Sequence, residues 1–248
     1  MELLKDDIPF YIDLAAESRG RPVLELGCGT GRVLLPLARE AAAGRGASLV
    51  VGLDRSAGML GAARRKLEDE PAAVRERARL VRGDMAQFAF SRGFSLAIVA
   101  FRSLVNLPDQ AAQVRALAAI REALEPGGRA VVDLFFPDLG VLALGSVEPR
   151  EVASYEERGT GCRLRFTHHA RFDPVRQTID DALEERRTFP DGRVETRTRR
   201  YRLRFPFCEE MRLMAAVAGL DVEAIHGWFD RRPLEADARE MIFVLRRR

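Results

Sequence analysis

The chain has 248 residues, of which 47% are hydrophobic and 31% charged, and a formal net charge of +3. This length can bury the core of one large α/β domain, alone or with an appended subdomain. Three widely spaced cysteines argue against a disulfide framework or a zinc site and fit a reducing compartment. The acidic N-terminus and the lack of a long apolar run exclude a signal peptide and a membrane span, so we expect a cytoplasmic protein without a metal.

The basic residues argue against a nucleic-acid partner. Only Lys5 and Lys66 are lysines among 40 basic residues, so arginine dominates, as expected from a bias in base composition. The densest basic run, residues 197–204, has strand periodicity, which places Arg200, Arg202 and Arg204 on one face and Tyr201 on the other. We interpret it as a solvated strand face, because tracking a phosphate backbone needs a wider patch with stacking aromatics.

A short amphipathic helix at residues 8–16 is the first predicted element. It is followed by a buried strand, residues 23–26, that breaks into the loop Gly27-Cys28-Gly29-Thr30-Gly31 and then continues as a helix. Glycines permit the sharp turn and let a ligand approach the backbone. The third glycine comes one residue earlier than in the loop of dinucleotide sites, and Glu25 would repel a phosphate and is suited to an ammonium group.

Four further segments follow in an alternating pattern of strands and helices that reaches about residue 137. A second buried strand ends in Asp54, and a third segment ends in Gly83-Asp84-Met85. A fourth strand, residues 94–100, leads to Arg102, and a Pro-Gly-Gly turn at 126–128 precedes the fifth. Alternation of this kind is typical of a parallel sheet with helices on both faces.

These motifs, in this order and spacing, resemble those of the class I S-adenosylmethionine-dependent methyltransferases. The resemblance implies a Rossmann-like sheet of seven strands, with helices on both faces and an antiparallel last strand between strands five and six. It implies S-adenosyl-L-methionine as cofactor and S-adenosyl-L-homocysteine as product. Asp54 would then hold the ribose hydroxyls, Asp84 and Met85 the adenine, and Tyr11 would close over the methionine moiety. The cofactor-binding residues expected in full are Tyr11, Glu25, Gly27, Cys28, Gly29, Thr30, Gly31, Arg32, Asp54, Arg55, Met59, Asp84, Met85, Ala100 and Phe101.

From about residue 148 the pattern changes to long strands of period two. Residues 148–207 predict an inserted antiparallel sheet of three or four strands, between core segments 1–147 and 208–248. We expect this insertion to be either a substrate cap or a dimerisation element, so a homodimer stays open. As a cap, it would place Phe166, His168 and Tyr201 at the acceptor and the arginine face outside.

The class of methyl acceptor is inferred mainly from motifs that the sequence lacks. The Pro-Pro-aromatic motif of nucleic-acid amino methyltransferases, a catalytic lysine set and a Pro-Cys nucleophile are all missing. A small molecule is therefore expected, methylated on nitrogen or oxygen by SN2 transfer, with nitrogen preferred. His168 and Arg102 are the candidate catalytic residues, and Arg102 either clamps a substrate or caps a loop. The alternatives are an RNA or protein methyltransferase, a non-catalytic cofactor-binding protein and an NAD-dependent oxidoreductase.

Overall fold

The computed structural model describes residues 6–90, 93–157 and 159–248. The chain divides into two compact units. One unit holds the described chain up to Phe136 together with Phe207–Arg248, and the other holds Pro137–Pro206. None of the described helices combines the length and the hydropathy that a membrane crossing requires.

The first unit alternates strands with helices. Its strands are β1 Val23–Leu26, β2 Val50–Asp54, β3 Ala78–Arg82, β4 Phe94–Val99 and β5 Leu124–Phe135, and after the second unit β10 Leu220–His226 and β11 Glu240–Arg247. Its helices are α1 Asp7–Ala16, α2 Leu34–Ala42, α3 Ala57–Glu68, α4 Ala72–Arg75, α5 Gln110–Ala123 and α7 Cys208–Val217, with a 3₁₀ turn at Ser103–Asn106.

The seven strands form one sheet in the order β10-β11-β5-β4-β1-β2-β3. Strands β1 to β5 run parallel, and β11 lies antiparallel between β5 and β10. This order confirms the predicted sheet, with its antiparallel last strand between the fifth and sixth strands of the core. Every residue of β1 is buried, as expected for a parallel strand covered on both faces.

The core on one face joins α1 and α2 to the central strands. Phe10 and Leu14 from α1 and Leu37 from α2 share a buried cluster with Val23 of β1 and Ile98 of β4. Helices α5 and α7 pack against each other, α5 against β5 and α7 against β10. Burial of this apolar surface is the main force that holds the helices on the sheet.

The chain order places a crevice at the carboxyl edge between β1 and β4. From β1 the chain continues to β2 and β3 on one side, whereas β4 leads to β5 on the other. Ligands of open α/β sheets bind at such a switch point, outside the carboxyl ends of the strands. The segments after Leu26, Asp54 and Val99 meet there.

One predicted boundary differs from the structure. The Pro-Gly-Gly segment does not end before the fifth strand but lies inside β5, as a bulge: Phe94 pairs with Leu124 and Leu96 pairs with Arg129. The left-handed Gly127, with a φ of 76°, allows the extra residues to leave the ladder.

The second unit contains α6 Leu139–Ala143 and a four-stranded antiparallel sheet, β6 Ser146–Glu156, β7 Arg163–Asp173, β8 Thr178–Thr188 and β9 Val194–Arg204. Residues directly opposite in the register share a face, and on this basis Phe166, His168 and Tyr201 lie on one face and Arg200 on the other. The first face is less apolar than β7 alone predicts, because β8 adds charged residues to it, among them Asp181 opposite Ala170.

Candidate active site

The glycine loop joins β1 to α2 at the carboxyl edge of the sheet. Gly27, Gly29 and Gly31 have φ angles of 71°, 54° and 80°, in the left-handed region that glycine adopts most easily. A Cβ on Gly27 would lie 2.7 Å from Oγ of Ser103, whereas a Cβ on Gly29 would meet nothing nearer than a backbone oxygen at 3.9 Å. The loop is therefore packed against the chain at Gly27 and open at Gly29, where a ligand can reach the backbone.

Asp54 ends β2, and hydrogen bonds tie its carboxylate to the glycine loop. Its Oδ2 accepts from the N–H of Gly29 at 2.9 Å, and its Oδ1 accepts from the N–H of Ser56 at 2.8 Å. Each carboxylate oxygen can accept more than one hydrogen bond. The side chain is therefore fixed in position and still able to accept from two hydroxyl groups of a ligand.

Two predicted side chains of the loop are directed to the protein itself. The thiol of Cys28 is buried beneath the loop, where a Cβ on Gly52 would lie 2.8 Å from its Sγ. Burial raises the pKa of this thiol well above its usual range, which argues against a nucleophile. Thr30 accepts hydrogen bonds from Nζ of Lys66 at 3.1 Å, through both its hydroxyl and its carbonyl oxygen.

The segments after β2 and β3 supply further predicted residues. Arg55 and Met59 are exposed, the latter with 48% of its surface accessible to solvent. Asp84 accepts a hydrogen bond from the N–H of Ala86 at 2.8 Å through Oδ1. The methyl carbon of Met85 lies 3.3 Å from the Cβ position of the first loop glycine. The segment after β3 thus brings a thioether to the glycine loop, and a carboxylate precedes it in the sequence.

The turn after β4 has an unusual backbone. Phe101 and Arg102 are consecutive non-glycine residues with φ angles of 52° and 60°, a conformation that costs energy for such side chains. Asp133, fully buried in β5, accepts from both: its Oδ2 from the N–H of Phe101 and its Oδ1 from the N–H of Arg102, each at 3.0 Å. The carbonyl oxygen of Ala100 accepts from Oγ of Ser103 at 2.7 Å.

Arg102 and Arg32 each pair with a buried carboxylate. Arg102 forms a two-point ion pair with Glu240 of β11, which favours its loop-capping alternative over a substrate clamp. Arg32 binds Asp7 of α1 through two nitrogens, at 2.8 and 2.5 Å. The guanidinium of Arg32 also lies 5.1 Å from the ring centroid of Phe101, within the range of a cation–π contact.

Glu25 and Tyr11 are buried, and each has an oxygen without a hydrogen-bond partner among the described residues: Oε2 of Glu25 and the hydroxyl of Tyr11. Burial raises the pKa of Glu25 to about 8, although Arg32 and a hydrogen bond from the N–H of Leu34 oppose the shift. Buried polar atoms are normally bonded. The carboxylate oxygen of Glu25 therefore suits a ligand that donates hydrogen bonds, as an ammonium group does, whereas the hydroxyl of Tyr11 suits a donor or an acceptor.

Comparisons with known proteins decide the family. A family model described as a methyltransferase domain matches residues 23–128. The CcbJ methyltransferase from Streptomyces caelestis shares the fold, with a TM-score of 0.76 and 31% identity over 98% of this chain and 94% of that one. The chain belongs to the class I S-adenosylmethionine-dependent methyltransferases.

Two further relatives span nearly the whole enzyme. The cypemycin N-terminal methyltransferase from a Streptomyces species is 28% identical over 233 residues, which cover 92% of this chain and 84% of that protein. The glycopeptide N-methyltransferase MtfA, in complex with S-adenosylmethionine, has a TM-score of 0.60 and 26% identity over 99% of this chain and 96% of its own. The cofactor of the enzyme is S-adenosylmethionine.

The hydrogen-bond acceptors of the site fit this cofactor. The unpartnered oxygen of Glu25 suits the ammonium group, the fixed carboxylate of Asp54 suits the two ribose hydroxyls, and Asp84 suits the exocyclic amine of adenine. The open space at Gly29 leaves the backbone accessible. These residue roles stay predictions, in which the remaining acceptor capacity of each carboxylate matches a donor of the cofactor.

Three buried carboxylates of this edge are missing from the sequence prediction: Asp7, Asp133 and Glu240. An acidic residue inside the apolar run of β5 is a signal that could have identified Asp133. The candidate base His168 lies in the second unit, where its Nε2 is 2.8 Å from Oδ1 of Asp181. Oδ1 of Asp181 is nevertheless a buried oxygen without a hydrogen-bond partner among the described residues, so the structure shows proximity of the two groups and no hydrogen bond that orients the imidazole.

Proposed function

We propose that this enzyme transfers the methyl group of S-adenosylmethionine to an amine nitrogen of a small molecule. The supporting observation is the charge pairing of the candidate site. Each of its two guanidinium groups is engaged by a buried carboxylate, Arg32 by Asp7 and Arg102 by Glu240. An anionic acceptor would need a guanidinium as its partner, whereas an amine attacks through a neutral lone pair and needs none.

The similar proteins also favour nitrogen as the methylated atom. Both the cypemycin enzyme and MtfA are named for the methylation of nitrogen. Their similarity covers more than nine-tenths of this chain, so it includes the inserted unit as well as the cofactor-binding unit. A nitrogen acceptor therefore agrees with the relatives over the full length of the chain.

The chemistry assigns positioning, and no obligatory base, to the protein. The bound cofactor supplies a methyl group on a positively charged sulfur, which an in-line nucleophile can displace. The glycine loop and Asp54 hold the cofactor in place for the attack of the amine. The turn at Phe101, which is bonded to Asp133, borders the loop. An amine attacks as the neutral species through its lone pair, and the methylated product can lose its extra proton to water. His168 and Arg102 are accordingly candidates for orientation more than for proton transfer.

The proposal is tested with matched acceptors, one with and one without a free amine. The wild-type enzyme is incubated with isotopically labelled S-adenosylmethionine and pairs such as an amino sugar with its parent sugar, and a free peptide amine with its acetylated form. We expect labelled methyl groups on the amine of each productive pair and none on its partner. Labelling of hydroxyl or carboxyl acceptors in preference to amines would overturn the assignment to nitrogen. The Asp54→Ala variant reports background transfer.

For the inserted unit, we propose a role in binding the acceptor, with Phe166, His168 and Tyr201 on the face that does so. Their common face in the antiparallel sheet supports the proposal. We also propose that the enzyme acts in a reducing compartment such as the cytoplasm, since Cys28, Cys162 and Cys208 are all free thiols. A homodimer stays a proposal that sedimentation of the purified enzyme can test.

A further inference from the structure

The turn at residues 100–103 contacts the glycine loop at Gly27 and also contacts Arg32, the residue that follows the loop. Ser103 occupies the space next to Gly27, so closely that a Cβ there would lie 2.7 Å from Oγ. Phe101 lies under the guanidinium of Arg32, 5.1 Å from it. The conformation of the turn therefore sets the position of both ends of the loop that approaches the cofactor.

The turn does not hold this conformation by itself. Phe101 and Arg102 both have left-handed φ angles, which neither residue type adopts readily. Their two N–H groups point to the same side and converge on the carboxylate of Asp133, one on each oxygen. Successive N–H groups in this arrangement form an anion-binding concavity, and here a side chain of the protein fills it.

The geometry assigns Asp133 as a positioning residue for the cofactor: its carboxylate clamps the Phe101–Arg102 turn, and the turn fixes the glycine loop. Asp133 is fully buried, at the end of β5 next to β4, and it acts on the loop only through the turn. The inference rests on the cofactor of the family and is independent of the acceptor, so a failure of the amine proposal leaves it standing.

Asparagine is the informative substitution, because it keeps the shape of the side chain. Its carbonyl oxygen can accept from one N–H, but its NH₂ group faces the other N–H and cannot accept. Burial raises the pKa of Asp133 to about 7, so above pH 7 the wild-type enzyme carries a buried charge that the asparagine variant avoids. Asp133→Asn should therefore loosen the turn without lowering the melting temperature.

The experiment is calorimetric titration of S-adenosylhomocysteine at pH 8 into the wild type and Asp133→Asn, with a melting curve for each. We expect the Kd to rise on the order of tenfold while the melting temperature is unchanged or higher. An unchanged Kd would overturn the inference, and so would a loss of affinity that follows a fall in melting temperature.

A second pair of variants, both carrying Arg102→Gly, separates the effect of Asp133 through the turn from a general structural effect. Glycine adopts the left-handed conformation without a clamp, so in an Arg102→Gly enzyme only Phe101 still needs the clamp and Asp133→Asn should weaken binding less than in the wild type. Both members of that pair lack the ion pair to Glu240, which is thereby controlled. Equal losses of affinity in the two backgrounds would show that Asp133 does not act through the turn.

Discussion

Glu25→Gln tests the role of the unpartnered carboxylate at the cofactor site. In the free enzyme burial raises the pKa of Glu25 to about 8, so roughly nine-tenths of the molecules carry the neutral acid at pH 7. An ammonium group next to Oε2 favours the charged form and lowers the pKa of Glu25. Binding of S-adenosylmethionine at pH 7 should therefore release about 0.9 proton from the wild type and essentially none from the glutamine variant.

The same linkage fixes the direction of the pH dependence. Because the complex holds fewer protons than the free enzyme, cofactor affinity must increase as the pH rises. From pH 6 to 7 the Kd of the wild type should fall about tenfold. This window lies below the ordinary pKa of an α-amino group, ~7.7–8.0, so the cofactor keeps its own ammonium charged throughout.

Calorimetry measures the released proton directly, from the binding enthalpy in buffers of different ionisation enthalpy. Glu125→Gln is a suitable control, because Glu125 pairs with Arg21 at 2.7 Å at the amino ends of the strands. A wild-type Kd that does not change between pH 6 and 7, or equal proton release by the Glu25→Gln variant, would remove the ammonium contact from the proposed site.

The stability of the unliganded enzyme gives an independent check on this pKa. The folded-state pKa of Glu25 lies above its ordinary value of 4.5, so its contribution to stability is fully present below pH 4.5 and is lost as the pH rises through 8. The full effect is on the order of 4 to 5 kcal/mol. As the pH rises from 5 to 9, the free energy of unfolding of Glu25→Gln should therefore increase relative to that of the wild type, as measured by urea titration.

Two other substitutions probe the loop and the inserted sheet. Gly29→Val should abolish cofactor binding in a folded protein, because its side chain enters the open space above the loop. Gly44→Val is the control, since Gly44 also has a left-handed φ, 75°, and no neighbour within 4 Å. This variant should be destabilised similarly and should still bind the cofactor in a calorimetric titration. Phe166→Ala should raise the KM for an amine acceptor at least several-fold, whereas Arg200→Ala should not. Equal KM values for the two variants would contradict the acceptor role of the Phe166 face.

The sequence predicts those parts of this enzyme that depend on local signals. The buried run before Gly27, the glycine spacing and the acid at the end of the second strand are all encoded within a few residues, because strand burial, loop conformation and strand-end carboxylates each leave a local pattern. The order of the sheet follows from the alternation of elements together with the resemblance to the family. The structure confirms this fold without changing the identity of any core strand.

Long-range pairings were not predictable in the same way. Asp133 meets Phe101 across 32 residues, and Arg102 meets Glu240 across 138. Neither contact has a spacing that a local pattern reveals, since both arise from the packing of neighbouring strands. The left-handed turn at Phe101 carries no glycine signal, and the bulge in β5 depends on its pairing with β4. Sequence reasoning therefore predicted the carboxylates that we propose to face the cofactor, but it missed the buried carboxylates Asp133 and Glu240, which pair with the turn after β4.

Parallel titrations of S-adenosylmethionine into the wild type and Asp54→Ala test the assignment of the cofactor site most directly. Asp54 accepts two backbone N–H groups and would accept two ribose hydroxyls, so its loss should weaken binding by on the order of 2 to 4 kcal/mol. Asp173→Ala is the matched control, since Asp173 also accepts from two backbone N–H groups, those of Val175 and Arg176. The affinity of this variant for S-adenosylmethionine should equal that of the wild type. Unchanged affinity of Asp54→Ala, or tighter binding of NAD than of S-adenosylmethionine by the wild type, would contradict the site described for this enzyme.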